Sequence, residues 1–193
     1  MPAPESMGGH RPPTTSENGG KMAKYEVPGM TLIPQRLNTS CWYASAQMLV
    51  NWRQEQSQQS FAWLVPPELD AQCIAIRDAP GTAGINNPQI LPMAKRLGLG
   101  AVPPVSLSLQ GMLSMLQTYG PLWVNGKTHI VVIAGIDTTA QTVKVYDPWP
   151  PNVGKVEWRS LTTWYAFGVP VNGLDSSRDT SAGVETVFLY VPR

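Results

Sequence analysis

The residue of this chain best suited to covalent chemistry is Cys41. The three residues before it, 38–40 (Asn-Thr-Ser), have short polar side chains typical of a helix start. Apolar residues then recur at helical spacing from Ala44 to Trp52. A thiol in the first turn of a helix faces unpaired N–H groups and the positive end of the helix dipole, and both favour the thiolate. The sequence therefore predicts that Cys41 is a nucleophile.

The candidate base is His129, which begins an apolar run, HIVVIAGI, that is typical of a buried strand. The other histidine, His10, lies in a polar N-terminal stretch. Asp147 follows His129 by 18 residues and ends the next predicted strand, with a turn predicted around 137–139. We therefore expect Asp147 to oppose His129 in a hairpin, where it can accept the second imidazole N–H and fix the tautomer.

Three further residues are candidates for the same site. Gln35 lies six residues before Cys41, and its amide, together with the Cys41 N–H, can donate to the oxyanion formed when the thiolate attacks a carbonyl. Trp42 and Trp149 flank the predicted catalytic residues, so we expect them to line the substrate cleft and to shield the ion pair from water.

The remaining cysteine, Cys73, lies in an apolar stretch, AQCIAI, which indicates a helix or strand facing the core. We expect a structural role for it. Two cysteines and two histidines do not supply a zinc site. The sequence thus predicts neither a metal nor a cofactor.

Composition limits the class of protein. The length of 193 residues fits one domain, which we place at 25–193 after a Pro/Gly/Ser-rich flexible tail at 1–24. A net charge of +1 argues against nucleic acid or an anionic membrane as partner. No run approaches the roughly 18 apolar residues of a membrane span, and the N-terminus lacks the apolar core of a signal peptide. We expect synthesis in the cytoplasm and, if the protein is exported, a specialised secretion system.

The periodicity predicts helices in the first part of the chain and strands in the second. Helices are predicted from Cys41, from Asn87 to Leu97 before Gly98, and after Ser108 up to Gly120. Strands are predicted at 121–124, 129–136, 142–146, 155–158 and 186–191. The order indicates an α+β fold in which an N-terminal helical part packs against a C-terminal antiparallel sheet.

This constellation resembles the papain superfamily. Glutamine, five residues, then Cys-Trp at a helix start, with a later histidine heading an apolar strand, is the pattern of its cysteine proteases. The Tyr-Asp-Pro-Trp run at 146–149 and the separation of 88 positions from Cys41 to His129 are similar to two compact bacterial branches. These are the bacteriocin-leader peptidases and the effector proteases that bacteria deliver into target cells.

The resemblance implies a papain-like fold and a Cys41–His129–Asp147 triad, in which Asp147 stands where papain has an asparagine. It also implies a protein or peptide substrate, a role as effector or toxin, and a cognate immunity or inhibitor protein in the producer. Asn38-Thr-Ser-Cys-Trp-Tyr differs from the Cys-Gly-Ser-Cys-Trp run of lysosomal enzymes, which leaves specificity open.

Other functions fit the same residues. Transglutaminases and glutamine deamidases also order Cys, His and Asp along the chain. Thiol amidases of the cell wall are a further alternative, although their third residue is commonly a second histidine. A non-catalytic peptide-binding module on a papain-like scaffold remains open at this level, and an unreactive Cys41 would favour it.

Overall fold

A computed structural model describes residues 24–81, 84–102, 107–126, 129–161 and 188–193. The predicted tail lies outside this part of the chain except for Lys24, which belongs to the first strand. The last predicted strand is described from Phe188 onward.

Four α-helices occur in the described ranges: α1 (Cys41–Ser57), α2 (Ala71–Asp78), α3 (Asn87–Leu97) and α4 (Leu109–Tyr119). A short 3-10 helix at Pro67–Leu69 precedes α2. The predictions of α1, α3 and α4 are confirmed, including the first residue of α1. The stretch around Cys73, for which the sequence left helix and strand open, is the helix α2.

The residues predicted to end helices do so, whereas one residue predicted to cap a helix start does not. Gly98 ends α3 in the left-handed conformation, with φ of 76°. The Ser108 hydroxyl caps α4 by accepting from the Gly111 N–H at 3.0 Å. Ser40, by contrast, occupies the N-cap of α1 without a side-chain cap bond. Its hydroxyl is already paired with the main chain of Leu37, which leaves the start of α1 uncapped.

The strands of the described ranges form one antiparallel sheet. They are β1 (Lys24–Glu26), β2 (Gly100–Ala101), β3 (Leu122–Asn125), β4 (Ile130–Asp137), β5 (Thr142–Asp147), β6 (Lys155–Ser160) and β7 (Phe188–Tyr190). Their order is β2-β7-β3-β4-β5-β6, and β1 pairs with the second half of β4. The short strands β1 and β2 were not predicted, because three and two residues carry no readable periodicity.

A β-bulge in β4 sets which residues of β4 and β5 share a face. Near the turn, Asp137 opposes Thr142, but beyond the bulge at Ala134 the register shifts so that Ile133 opposes Val145. In the unshifted register, His129 and Asp147 would lie on opposite faces of the hairpin. Because a register shift of one residue exchanges the faces of a strand, the bulge brings them to the same face.

Helix α1 packs on the sheet where β3 and β4 meet. The indole N–H of Trp123 in β3 donates to the carbonyl of Trp42 at 3.1 Å. Both indole rings are buried in the core. These contacts fix the start of α1 beside the start of β4 and hence bring Cys41 near His129.

The predicted α+β class is confirmed, with the cysteine-bearing helix packed against a mainly C-terminal antiparallel sheet. Within the described ranges, no helix has both the length and the apolar character needed to cross a bilayer.

Candidate active site

Cys41 is the first residue of α1, and its side chain is half-buried. Because the Ser40 hydroxyl bonds to Leu37 rather than to the helix, no side chain caps the first N–H groups of α1. The described main-chain hydrogen bonds likewise give the Cys41 N–H no acceptor. A donor and a thiol are thus available together at the positive end of the helix dipole.

His129 and Asp147 form a close pair. The ring Nε2 of His129 lies 2.6 Å from Oδ1 of Asp147, and the same oxygen accepts the Trp149 main-chain N–H at 3.0 Å. The His129 side chain is 34% exposed and that of Asp147 only 8%. Nε2 is occupied by the carboxylate, so Nδ1 is the ring nitrogen left for Cys41, whose thiol contacts the ring.

The surroundings keep this pair charged. Burial lowers the pKa of His129, but its contacts with Asp147 and with the Cys41 thiol outweigh burial and raise the pKa to about 9. Burial raises the pKa of Asp147, but its hydrogen bonds lower that pKa below its usual range. At neutral pH the site therefore holds an imidazolium next to a carboxylate.

The second oxygen of Asp147 binds an arginine that the sequence analysis missed. Nη2 of Arg159, in β6, donates to Oδ2 of Asp147 at 2.6 Å, and its Nε donates to Oε1 of Glu157 at the same distance. Glu157 in turn pairs with Lys155. The signal in the sequence was Lys-x-Glu-x-Arg at 155–159, three alternating charges on one face of a strand that follows the Asp147 strand.

Gln35 lies in the loop before α1 and is fully buried. Its main chain connects this loop to the segment after Asp147: its N–H donates to the Pro148 carbonyl at 3.0 Å, and its carbonyl accepts from Asn152 at 2.8 Å. Its side-chain amide donates within its own loop, to the carbonyls of Leu37 and Asn38. In this conformation the amide hydrogens are engaged, and the Cys41 N–H is the donor free for an oxyanion.

The two tryptophans predicted for the cleft differ in exposure. Trp149 is 44% exposed and follows Asp147 by two residues, so a ligand can contact it. Trp42 is 1% exposed and belongs to the core beneath Cys41. Its burial leaves no surface for substrate, which corrects the expectation that it lines the cleft.

Cys73 is buried in α2 and has no disulfide partner. Burial and the neighbouring Asp70 carboxylate raise the pKa of its thiol to about 12. Its setting is that of an unreactive core thiol, as the sequence analysis expects.

A cavity of about 460 Å³ lies beside the Gln35 loop. It extends along one face of α1 from Ser40 to Gln47 and reaches Arg77 and Asp78 at the end of α2. Cys41 and His129 are not among its lining residues, so it neighbours the candidate site without containing it. Across the described ranges, no three His, Cys, Asp or Glu side chains converge in a manner suited to a metal ion.

Comparison with known proteins gives a family and several solved structures that resemble the chain. The model of the family described as papain-like cysteine protease AvrRpt2 matches residues 21–166, a stretch that contains Gln35, Cys41, His129, Asp147 and Arg159. Among solved structures, the chain is similar to a double glycine motif protease from an AMS/PCAT transporter in complex with the leader peptide. Identity is 20%, the alignment covers 70% of this chain and 84% of that chain, and the TM-score is 0.41. No curated protein matches the chain.

Proposed function

We propose a catalytic site for this chain, which belongs to the family of the papain-like cysteine protease AvrRpt2 and is a cysteine-type peptidase. In the proposal, Cys41 is the nucleophile, His129 the general acid and base, and Asp147 the residue that orients His129. Family membership favours peptide-bond hydrolysis over deamidation and over non-catalytic peptide binding.

One observation carries the proposal. His129 lies between two partners, with Nε2 2.6 Å from Asp147 and the ring in contact with the Cys41 thiol at the start of α1. A nucleophile, a base and an orienting carboxylate in that order are what thiol catalysis requires.

The reaction then proceeds in two halves. The Cys41 sulfur attacks the peptide carbonyl, and the carbonyl electrons move to oxygen, where the Cys41 N–H binds the developing charge. The tetrahedral intermediate collapses to an acyl-enzyme as His129 gives its proton to the departing amine. Neutral His129 next takes a proton from water, whose hydroxide attacks the thioester. Collapse releases the carboxylic acid and restores the thiolate–imidazolium pair.

Gln35 is proposed as the second oxyanion donor. To donate, its amide must release the Leu37 or Asn38 carbonyl, with which it is now bonded at 2.7 and 3.1 Å. The main-chain bonds to Pro148 and Asn152 hold the loop during that rotation. Replacement by glutamate tests this role, because an acceptor in place of the donor disfavours the oxyanion while preserving side-chain size.

The test of the proposal is alkylation of Cys41 by iodoacetamide at pH 6, in a Cys73→Ser background that leaves one thiol. At this pH an ordinary thiol, of pKa about 8.5, is ionised to less than about 1%. We expect Cys41 to react about 100-fold more slowly after His129→Ala, because the imidazolium that stabilises the thiolate is lost. The rate is read by intact mass.

Two controls accompany this experiment. His10→Ala, outside the described residues, should leave the rate unchanged. Peptide cleavage from a random peptide library should disappear in Cys41→Ala. A Cys41 that reacts no faster than a free thiol, with or without His129, would contradict the triad.

We propose further that the enzyme is an effector or toxin acting on a target-cell protein after delivery by a specialised secretion system. Its similarity to compact effector proteases, carried by residues 146–149 and the Cys41–His129 spacing, supports this. The producer then encodes an immunity or inhibitor protein. Growth of candidate target cells expressing wild type or Cys41→Ala tests the idea. Loss of growth only with wild type is expected, and equal growth of both would contradict it.

A further inference from the structure

We propose that Arg159 is a positioning residue of this site: it holds Oδ2 of Asp147 so that Oδ1 stays aligned with Nε2 of His129. The inference rests on the proposed function, since it assigns Arg159 a role in orienting the base. It adds a fourth residue, from β6, to the three that the sequence pattern predicts.

The geometry of the carboxylate is the first argument. Oδ1 accepts from His129 at 2.6 Å and from the Trp149 N–H at 3.0 Å. Among the described residues, Oδ2 accepts only from Arg159, at 2.6 Å. The terminal torsion of an aspartate is broad, so donors on one oxygen leave the group free to turn. A donor on the second oxygen fixes the carboxylate plane that His129 faces.

The second argument is how Arg159 is itself held. In the β5–β6 register, Asp147 opposes Lys155 while Arg159 opposes Val143, four residues away. The side chain therefore runs back along the sheet to reach Asp147. Glu157, between them on the same face of β6, accepts from Nε of Arg159 at 2.6 Å. With one nitrogen on each carboxylate, the planar guanidinium has a defined orientation, which a lysine does not reproduce.

Charge and burial supply the third argument. The side chains bonded to Asp147 are His129 before β4 and Arg159 in β6, and Cys41 of α1 lies beyond His129. Lys155 is the cross-strand neighbour of Asp147, but its ammonium pairs with Glu157, which also binds Arg159. The Asp147 side chain is only 8% exposed. A carboxylate oxygen buried without a donor is costly, so loss of Arg159 leaves Asp147 strongly driven to reorient.

A positioning role for Arg159 and a purely electrostatic effect of its charge predict opposite changes in the pKa of His129. If Arg159 acted only as a cation, its removal would relieve repulsion and raise the pKa of His129. If it positions Asp147, removal weakens the Asp147–His129 bond and lowers that pKa from about 9 towards the ordinary 6.5. The sign of the change distinguishes the two.

The experiment is an NMR titration of the imidazole in His10→Ala protein, where His129 is the sole histidine. In Arg159→Gln we expect the His129 pKa to fall. We also expect alkylation of Cys41 at pH 6.5 to slow about tenfold, by analogy with the smaller losses that follow removal of the hydrogen-bond partner of a metal-ligating histidine. An unchanged or raised pKa in folded Arg159→Gln would overturn the proposal.

The chain offers a matched control in Arg96. This arginine is 29% exposed, against 31% for Arg159, and its Nε donates to the 12%-exposed carboxylate of Asp70 at 3.0 Å. Arg96→Gln therefore removes a comparable ion pair away from His129. We expect it to lower stability while leaving the His129 titration and the alkylation rate unchanged.

If Arg159→Gln does not fold, Arg159→Lys tests the positioning role instead. An ammonium keeps the charge but does not present a planar fork to Asp147 and Glu157 together, so the His129 pKa should fall by less. An unchanged pKa in that variant would refute the positioning role. The proposed function fails separately, when His129→Ala leaves Cys41 alkylation unaffected, and that result does not depend on Arg159.

Discussion

The His129–Asp147 pair is the feature of this molecule that responds most directly to pH. In the folded protein the pKa of His129 is about 9 and that of Asp147 lies below its usual range. In the unfolded chain both return to ordinary values, about 6.5 and 3.9. Each difference makes folding stability depend on pH.

The direction in which stability changes with pH follows from the number of protons that the folded and unfolded states bind. Between about pH 6.5 and 9, folded His129 keeps a proton that the unfolded chain releases, so its stabilising effect declines through this range. Below about pH 6.5 both states are protonated and the effect is complete. At the acid end, the contribution of Asp147 is present above about pH 3.9 and is lost as the pH falls through its lower folded pKa.

We therefore predict that His129→Ala destabilises the protein most near pH 5 to 6. Between pH 6.5 and 9.5 the difference from wild type should shrink by on the order of 2 kcal/mol, since a pKa unit corresponds to about 1.4 kcal/mol and partial exposure of the ring screens the pair. Urea unfolding followed by tryptophan fluorescence at several pH values measures it. A difference that stays constant with pH would show that folding does not raise the pKa of His129.

Residue type and position together pointed to Cys41, His129 and Asp147. The chain has two cysteines and two histidines, and the spacing of 18 residues from His129 selected Asp147. Residue type and position did not reveal Arg159, since a long side chain reaching four residues along a sheet leaves no local pattern. They also misplaced Trp42, because a tryptophan next to a nucleophile gives no sign of the direction its ring takes.

At the scale of elements, the helices were easier to predict than the hairpin that positions His129. Caps and stops marked α3 and α4 within about a residue. The spacing of 18 residues suggested that His129 and Asp147 meet, but an unshifted hairpin would separate them by face. A glycine inside the predicted strand, Gly135, was the available sign of a bulge, since glycine in a strand often marks one.

Gly135 tests the bulge because three strands meet there. An added Cβ would lie 2.9 Å from Cβ of Lys144 in β5 and 3.1 Å from the carbonyl oxygen of Tyr25 in β1. We predict that Gly135→Ala lowers the free energy of unfolding by about 1–3 kcal/mol, as overpacking does. Urea denaturation at pH 7 measures the change.

Gly111 in α4 provides the comparison. The nearest atom to a Cβ there is the Ser108 hydroxyl, at 3.3 Å, and the next two, both of Leu107, lie in ordinary contact at 3.8 and 3.9 Å. Alanine also suits a helix better than glycine. Gly111→Ala should therefore change stability by less than about 0.5 kcal/mol. If the two substitutions changed the free energy of unfolding equally, close packing around Gly135 would not be the cause of the change.

At the scale of the whole molecule, the site lies where the helical part and the sheet meet. Cys41 comes from α1, His129 and Asp147 come from the β4–β5 hairpin, and the Gln35 loop connects both sides through Pro148 and Asn152. Unfolding of either part separates the groups proposed for catalysis. Activity and global folding should therefore be lost together.

The second thiol allows that cooperativity to be measured. Cys73 is fully buried in α2, and burial helps raise its pKa to about 12, so it should react with iodoacetamide only after the structure opens. We predict that native protein takes up one label, at Cys41. In rising urea, the rate at which Cys73 is labelled should give the same free energy of unfolding as the fluorescence of the buried Trp42 and Trp123. Labelling in Cys41→Ala followed by intact mass makes the measurement. Faster labelling of Cys73 would mean that α2 opens on its own, and the eight residues of that helix would then form a separate, less stable unit beside the site.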